Sequence, residues 1–173
     1  FAAGTAERRF LFCTKRGTLQ IAITRMASFV QKELFLLRYS VSSIDYTGEI
    51  RLNSLLNGDV ENFNDPDDPR VSSGKHPKLR ITRRLLEGSC LGLEAATLVS
   101  KRALGCVVTH TMAGAEPELY AQGNVLAARF SRAMLPGETV TLTKYCVYTD
   151  APGESDLLAA ARDVLRIPFG DFG

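Results

Sequence analysis

The sequence predicts an all-β chain of antiparallel strands. Three observations carry that prediction: side chains alternate with a period of two over long stretches, Gly-containing turn signals punctuate them, and the alternating strand and helix patterns of a parallel sheet are absent.

Taken in order, "GTLQIAIT" sets Leu19, Ile21 and Ile23 against Thr18, Gln20 and Thr24. "ELFLLRYSVSSIDY" puts Phe35, Leu37, Tyr39 and Val41 on one face and Leu36, Arg38, Ser40 and Ser42 on the other. "YTGEIRLNSLLN" begins as a strand, and "KLRITRRLL" places Leu79, Ile81 and Leu85 opposite Arg80, Thr82 and Arg84. "LGCVVTHTM", "NVLAARFSRAML" and "ETVTLTKYCVYT" continue the series, rich in the Val, Thr, Tyr and Phe that suit a pleated surface. Arg16-Gly17, Thr47-Gly48, Glu87-Gly88 and Pro136-Gly137 read as hairpin turns, the last of type II. Long strands and short turns describe a large sheet or a sandwich over residues 1–150.

One segment changes period. "SDLLAAARDVLR" places Leu157, Leu158, Ala161, Val164 and Leu165 at helical spacing, with Ser155 as the N-cap, Asp156 in the first turn and Pro168 as the stop. Residues 151–173 therefore read as a helical linker toward a further segment.

The chain has 173 residues, enough for one domain that buries roughly 70% of its unfolded surface. Twenty-one basic and nineteen acidic residues leave a charge of +2, which argues against nucleic acid and against an anionic membrane as partners. No apolar run is long enough to span a bilayer. "FAAGTAERRF" has neither the layout of a signal peptide nor an initiator Met, so it reads as a boundary or a processed end. Cys13, Cys90, Cys106 and Cys146 are too dispersed for a zinc site or a small disulfide scaffold. Each reads as a buried small hydrophobe in a reducing, cytoplasmic setting.

The candidate sites are few. Asp59, Glu61, Asp65, Asp67 and Asp68 crowd five carboxylates into ten positions. Neither Asp59 nor Asp65 starts a calcium loop, because Asn64 and Arg70 stand where the sixth-position Gly belongs. A carboxylate pair for glycoside cleavage is open in principle but nothing in the spacing demands it. Pro66 and Pro69 favour a turn-holding loop, with an interface loop next. His110 shares a strand face with Cys106, Val108 and Met112 and reads as a hydrogen-bonded core residue before a base; His76, in "SSGKHPK", reads as exposed. Nucleophile-elbow, phosphate-loop and dinucleotide motifs do not occur. Arg80, Arg83, Arg84, Lys101 and Arg102 lack the interleaved aromatics of a nucleic-acid platform and read as a solvated face. No residue is assigned to a catalytic, cofactor or metal role.

The run "RYSVSSIDYTGEIRLNSLLNGDVENFNDPDDPRV" nevertheless resembles the N-terminal non-catalytic domain of glycoside hydrolase family 65. The matching pieces are Tyr39-Ser40, Gly48-Glu49-Ile50, Ser54-Leu55, Gly58-Asp59-Val60-Glu61-Asn62 and Asp68-Pro69-Arg70, with "ITRMASF" upstream and "PGETVTLTKYCVYTD" downstream. Asn57 departs from the Asp common at that turn.

The resemblance implies a two-sheet supersandwich of the galactose-mutarotase kind, here incomplete, carrying a terminal helix. It implies a parent enzyme that phosphorolyses or hydrolyses trehalose, maltose or kojibiose with inversion, using phosphate as co-substrate where it is a phosphorylase. The catalytic residues would lie on an (α/α) barrel outside residues 1–173, so this chain would support that barrel and a homodimer and would be inactive alone. A carbohydrate-binding sandwich is the alternative, weakened by the absence of Trp. An incomplete sandwich is also expected to leave a sheet edge and an apolar face uncovered.

Overall fold

A computed structural model describes residues 4–61, 79–152 and 156–166. Within them lie ten strands and one helix: β1 (Thr5–Thr14), β2 (Gly17–Ala27), β3 (Leu34–Ser43), β4 (Gly48–Asn57), β5 (Leu79–Glu87), β6 (Cys90–Thr97), β7 (Arg102–Met112), β8 (Glu118–Gln122), β9 (Val125–Met134), β10 (Thr139–Pro152) and α1 (Leu157–Leu165). The strands form a seven-stranded sheet in the order β1-β2-β3-β10-β7-β6-β5 and a three-stranded sheet in the order β4-β9-β8. Every pairing is antiparallel, so the chain is the all-β two-sheet sandwich that its alternation predicts.

Two apolar layers hold it. Between the sheets, Val41, Leu91, Val108, Leu126, Phe130 and Met134 are buried. On the outer face of the large sheet, Leu34, Leu36, Val107 and Val147 pack against Leu158 and Ala161 of α1. β3 feeds both layers, with Phe35, Tyr39 and Val41 turned inward and Leu34 and Leu36 outward, which is why its first four residues are apolar on both faces.

Three details differ from the sequence reading. Leu79, Ile81 and Leu85 do not share one face, because the register of β5 against β6 shifts between Ile81 and Arg83. That irregularity leaves Ile81 against the inner core and turns Leu85 outward toward α1. The cap of α1 is Asp156, whose carboxylate accepts from the Ala159 N–H at 3.1 Å; Ser155 and Pro168 lie outside the described residues. Of the four turn pairs only Arg16-Gly17 and Glu87-Gly88 close hairpins, whereas Thr47-Gly48 and Pro136-Gly137 lie where the chain passes between sheets. Gly137 still has the positive φ, +83°, that a type II turn requires after Pro136. Gly17 is needed for space as well as for its φ of +123°: a Cβ there would stand 2.6 Å from Tyr46 Cα.

Candidate functional site

The buried polar chemistry of the sandwich centres on β7. His110, 4% exposed, bridges the two sheets. Its Nδ1–H donates to the Ser89 carbonyl at 3.0 Å, and since a carbonyl only accepts, the tautomer is fixed. Nε2 then accepts from the Ser54 hydroxyl at 2.7 Å, and the ring leans on Phe130 with centroids 5.6 Å apart. Burial, reinforced by the Lys144 charge and opposed by the Ser89 hydrogen bond, lowers the His110 pKa to about 4. The ring is neutral at neutral pH and both nitrogens are engaged. It is the hydrogen-bonded core residue that its strand face predicts, with no lone pair left for a substrate.

The acidic stretch is split. Asp59 accepts from Asn124 Nδ2 at 2.6 Å while its own N–H donates to Asn57 Oδ1 at 2.9 Å. These bonds tie the end of β4 to the β8–β9 turn, which is turn-holding work. Glu61 is exposed, and Asp65, Asp67, Asp68 and His76 lie outside the described residues. Among the described residues no three His, Cys, Asp or Glu side chains are placed to hold a metal ion.

The thiols need a correction. Cys146 is buried and Cys90 and Cys106 are half-buried, but Cys13 is exposed, because it stands on the outward face of the edge strand β1. Burial, then the neighbouring Cys146, pushes the Cys106 thiol up to about 12 against a hydrogen bond from Tyr148, and burial raises Cys146 as well. Thiols held protonated are poor nucleophiles. Of the basic residues, Arg83 reaches Asp156 at 2.9 Å and Glu94 at 3.4 Å, Arg84 bonds the Gly123 carbonyl and Asn124, and Arg102 pairs with Asp150.

The uncovered edge and apolar face expected of an incomplete sandwich lie along β4, which has no neighbour on one side among the described residues. Three cavities of about 450, 400 and 530 Å³ follow one another beside that strand, the first two sharing Tyr39, Arg51 and Leu52 and the last two Leu55 and Lys144. Phe10, Phe12, Leu19 and Ile21 line one end and Leu142 and Lys144 the middle. Among the described residues, three strands lie over seven and leave part of the large sheet uncovered. Nothing in the alternation of β4 itself signals which edge lacks a neighbour.

The profile described as "Glycosyl hydrolase family 65, N-terminal domain" matches residues 1–170. The chain belongs to glycosyl hydrolase family 65, within its N-terminal domain. It is 34% identical over 91 residues to the alpha,alpha-trehalose phosphorylase of Geobacillus stearothermophilus, a stretch covering 53% of this chain and 12% of that protein. It is 27% identical over 111 residues to the alpha,alpha-trehalose phosphorylase of Thermoanaerobacter brockii, covering 63% and 14% respectively. A solved structure from the human microbiome, assigned as a kojibiose phosphorylase, superposes on 98% of this chain and 22% of its own with a TM-score of 0.79 and 17% identity, a likeness of fold. The chain thus spans a small part of the family 65 relatives it matches. Among the described residues no helix is long and apolar enough to cross a membrane.

Proposed function

We propose that residues 1–173 are the non-catalytic sandwich of an inverting phosphorylase that cleaves an α-glucosidic disaccharide, with trehalose favoured by the names of two relatives. In the proposed reaction a carboxylic acid on the barrel domain protonates the departing glucosidic oxygen. Phosphate meanwhile attacks the anomeric carbon from the opposite face. This chain contributes support to that barrel, and residues 151–173 lead toward it. The homodimer belongs to the same reading and rests on the family resemblance. A cytoplasmic setting agrees with four cysteines in the free state.

One observation carries the supporting role. Phe29 and Val30 are 89% and 98% exposed, and Leu98 and Val99 are 41% and 94% exposed. The first pair lies between β2 and β3 and the second between β6 and β7, so both occupy the end of the large sheet where β10 finishes. Large apolar side chains gathered at one end of a sheet mark a contact surface, and the barrel is its proposed occupant. The sugar-module alternative finds less support. Arg8 sits 5.3 Å from the Phe10 ring and Arg129 sits 5.0 Å from the Tyr120 ring, where a stacking sugar would need bare faces.

The test is the double substitution Val30→Asp and Val99→Asp in the full-length protein. The reading expects trehalose phosphorolysis to lose thermal stability while the sandwich keeps its β-sheet circular dichroism. An unchanged inactivation temperature contradicts it.

A further inference from the structure

We infer that Asn57-Gly58, at the end of β4, is a spontaneous deamidation site that the fold holds closed, and that isoaspartate formed there bars this end of the β4–β9 ladder from reforming. This is independent of the carbohydrate reading.

Asn57-Gly58 is the one Asn-Gly pair in the sequence. The reaction is internal to the pair. The Gly58 amide nitrogen, its proton passing to solvent base, attacks Asn57 Cγ, and the side-chain nitrogen leaves as ammonia. Water then opens the succinimide at one of its two carbonyls. The product is aspartate or, with the main chain routed through the side-chain carbonyl, isoaspartate. One water enters, one ammonia departs and nothing is oxidised. Asparagine is thermolabile by this route, and a following glycine favours it because no Cβ hinders the approach of its nitrogen.

The electrophile is primed and the nucleophile is restrained. Asn57 is exposed, so water reaches it and ammonia can leave. Its Oδ1 accepts from the Asp59 N–H at 2.9 Å, which draws electron density from Cγ. Against this, the Gly58 N–H donates to the Asn124 carbonyl at 2.9 Å, which occupies its proton and fixes its direction. Asn57 pairs with Val125 as the last residue of β4, and extended backbone turns the following nitrogen away from the side chain. Ring closure therefore requires Gly58 to leave Asn124. The turn between β8 and β9 resists that departure. Asn124 Nδ2 holds Asp59 at 2.6 Å, and Arg84 bonds the Gly123 carbonyl at 3.2 Å.

Packing makes the event one-way. Gly58 is buried, and a Cβ there would stand 2.8 Å from Ile81 Cδ1, 3.0 Å from Leu93 Cδ1 and 3.1 Å from the Asn124 carbonyl oxygen. Isoaspartate lengthens the main chain by one methylene immediately before this residue, and a close-packed site has no room for the shift. It also sets a new carboxylate beside Asp59, where like charges repel. The modified chain thus loses the bond that joins the end of β4 to the β8–β9 turn.

The experiment ages the full-length protein at mildly alkaline pH and maps peptides so that asparagine, aspartate and isoaspartate at position 57 are separated. The folded protein is expected to deamidate there at least about tenfold more slowly than the same protein in urea. Arg84→Ala, which frees the β8–β9 turn from outside the pair, is expected to speed both Gly58 amide exchange and deamidation in native buffer. In the isoaspartate-bearing fraction of aged protein the Gly58 amide is expected to be unprotected. Equal rates in native buffer and in urea, an Arg84→Ala protein that deamidates no faster than its parent, or a protected Gly58 amide beside isoaspartate overturns the inference.

Discussion

Ser54 donates its hydroxyl hydrogen to His110 Nε2 across 2.7 Å, joining the edge strand of the small sheet to a strand near the centre of the large one. The bond is buried, so neither group has water as an alternative partner. Ser54→Ala strands a buried ring nitrogen and is expected to cost about 1–3 kcal/mol. Urea unfolding of the variant checks this, and a midpoint equal to that of the parent protein would deny the bond its role.

The same histidine makes stability depend on pH. Its pKa falls from 6.5 to about 4 on folding, so the unfolded chain binds the proton more tightly. The stabilisation is present above about pH 6.5 and is lost as pH falls from there through about 4, to an extent of about 3 kcal/mol. His110→Gln removes this dependence. Unfolding midpoints of the two proteins between pH 7 and pH 4 are therefore predicted to converge as the solution becomes more acid.

Gly105 lets α1 lie against the large sheet. A Cβ at that position would stand 2.7 Å from both Leu157 Cβ and Thr149 Oγ1. Gly105→Ala forces the helix outward and is expected to cost about 1–3 kcal/mol by overpacking. Faster amide exchange in residues 157–165, with the β7–β10 ladder unaffected, is the expected signature.

The thiols are predicted to divide by position. Cys13, exposed on β1, reacts readily with a maleimide at neutral pH, whereas Cys106 and Cys146 react only once the chain unfolds. Mass spectrometry of labelled peptides before and after denaturation distinguishes the groups.

Much of this architecture is legible as text. Period-two alternation locates β2, β3, β5, β7, β9 and β10, because inward and outward side chains differ in chemistry wherever one face meets the core. It does not locate β1, whose residues are largely exposed on both faces, or β6, where Leu91, Gly92 and Leu93 are all buried. Nor does it reveal the bulge that turns Leu85 away from Ile81, since a register shift lies in the pairing of β5 with β6. The core role of His110 follows from its strand face, but its partners Ser54 and Ser89 lie 56 and 21 positions away and are joined to it only by the fold. Which edge of β4 lacks a neighbour among the described residues is a property of sheet order, which no local pattern encodes.

The central claim is that residues 1–173 form a scaffold whose reactive groups lie elsewhere in the polypeptide. Its most direct test is to give trehalose and phosphate to the full-length protein and to purified residues 1–173, the latter checked for β-sheet circular dichroism, and to measure glucose 1-phosphate. The account predicts release by the full-length protein and none above buffer by residues 1–173. Sustained turnover by residues 1–173 alone would contradict it.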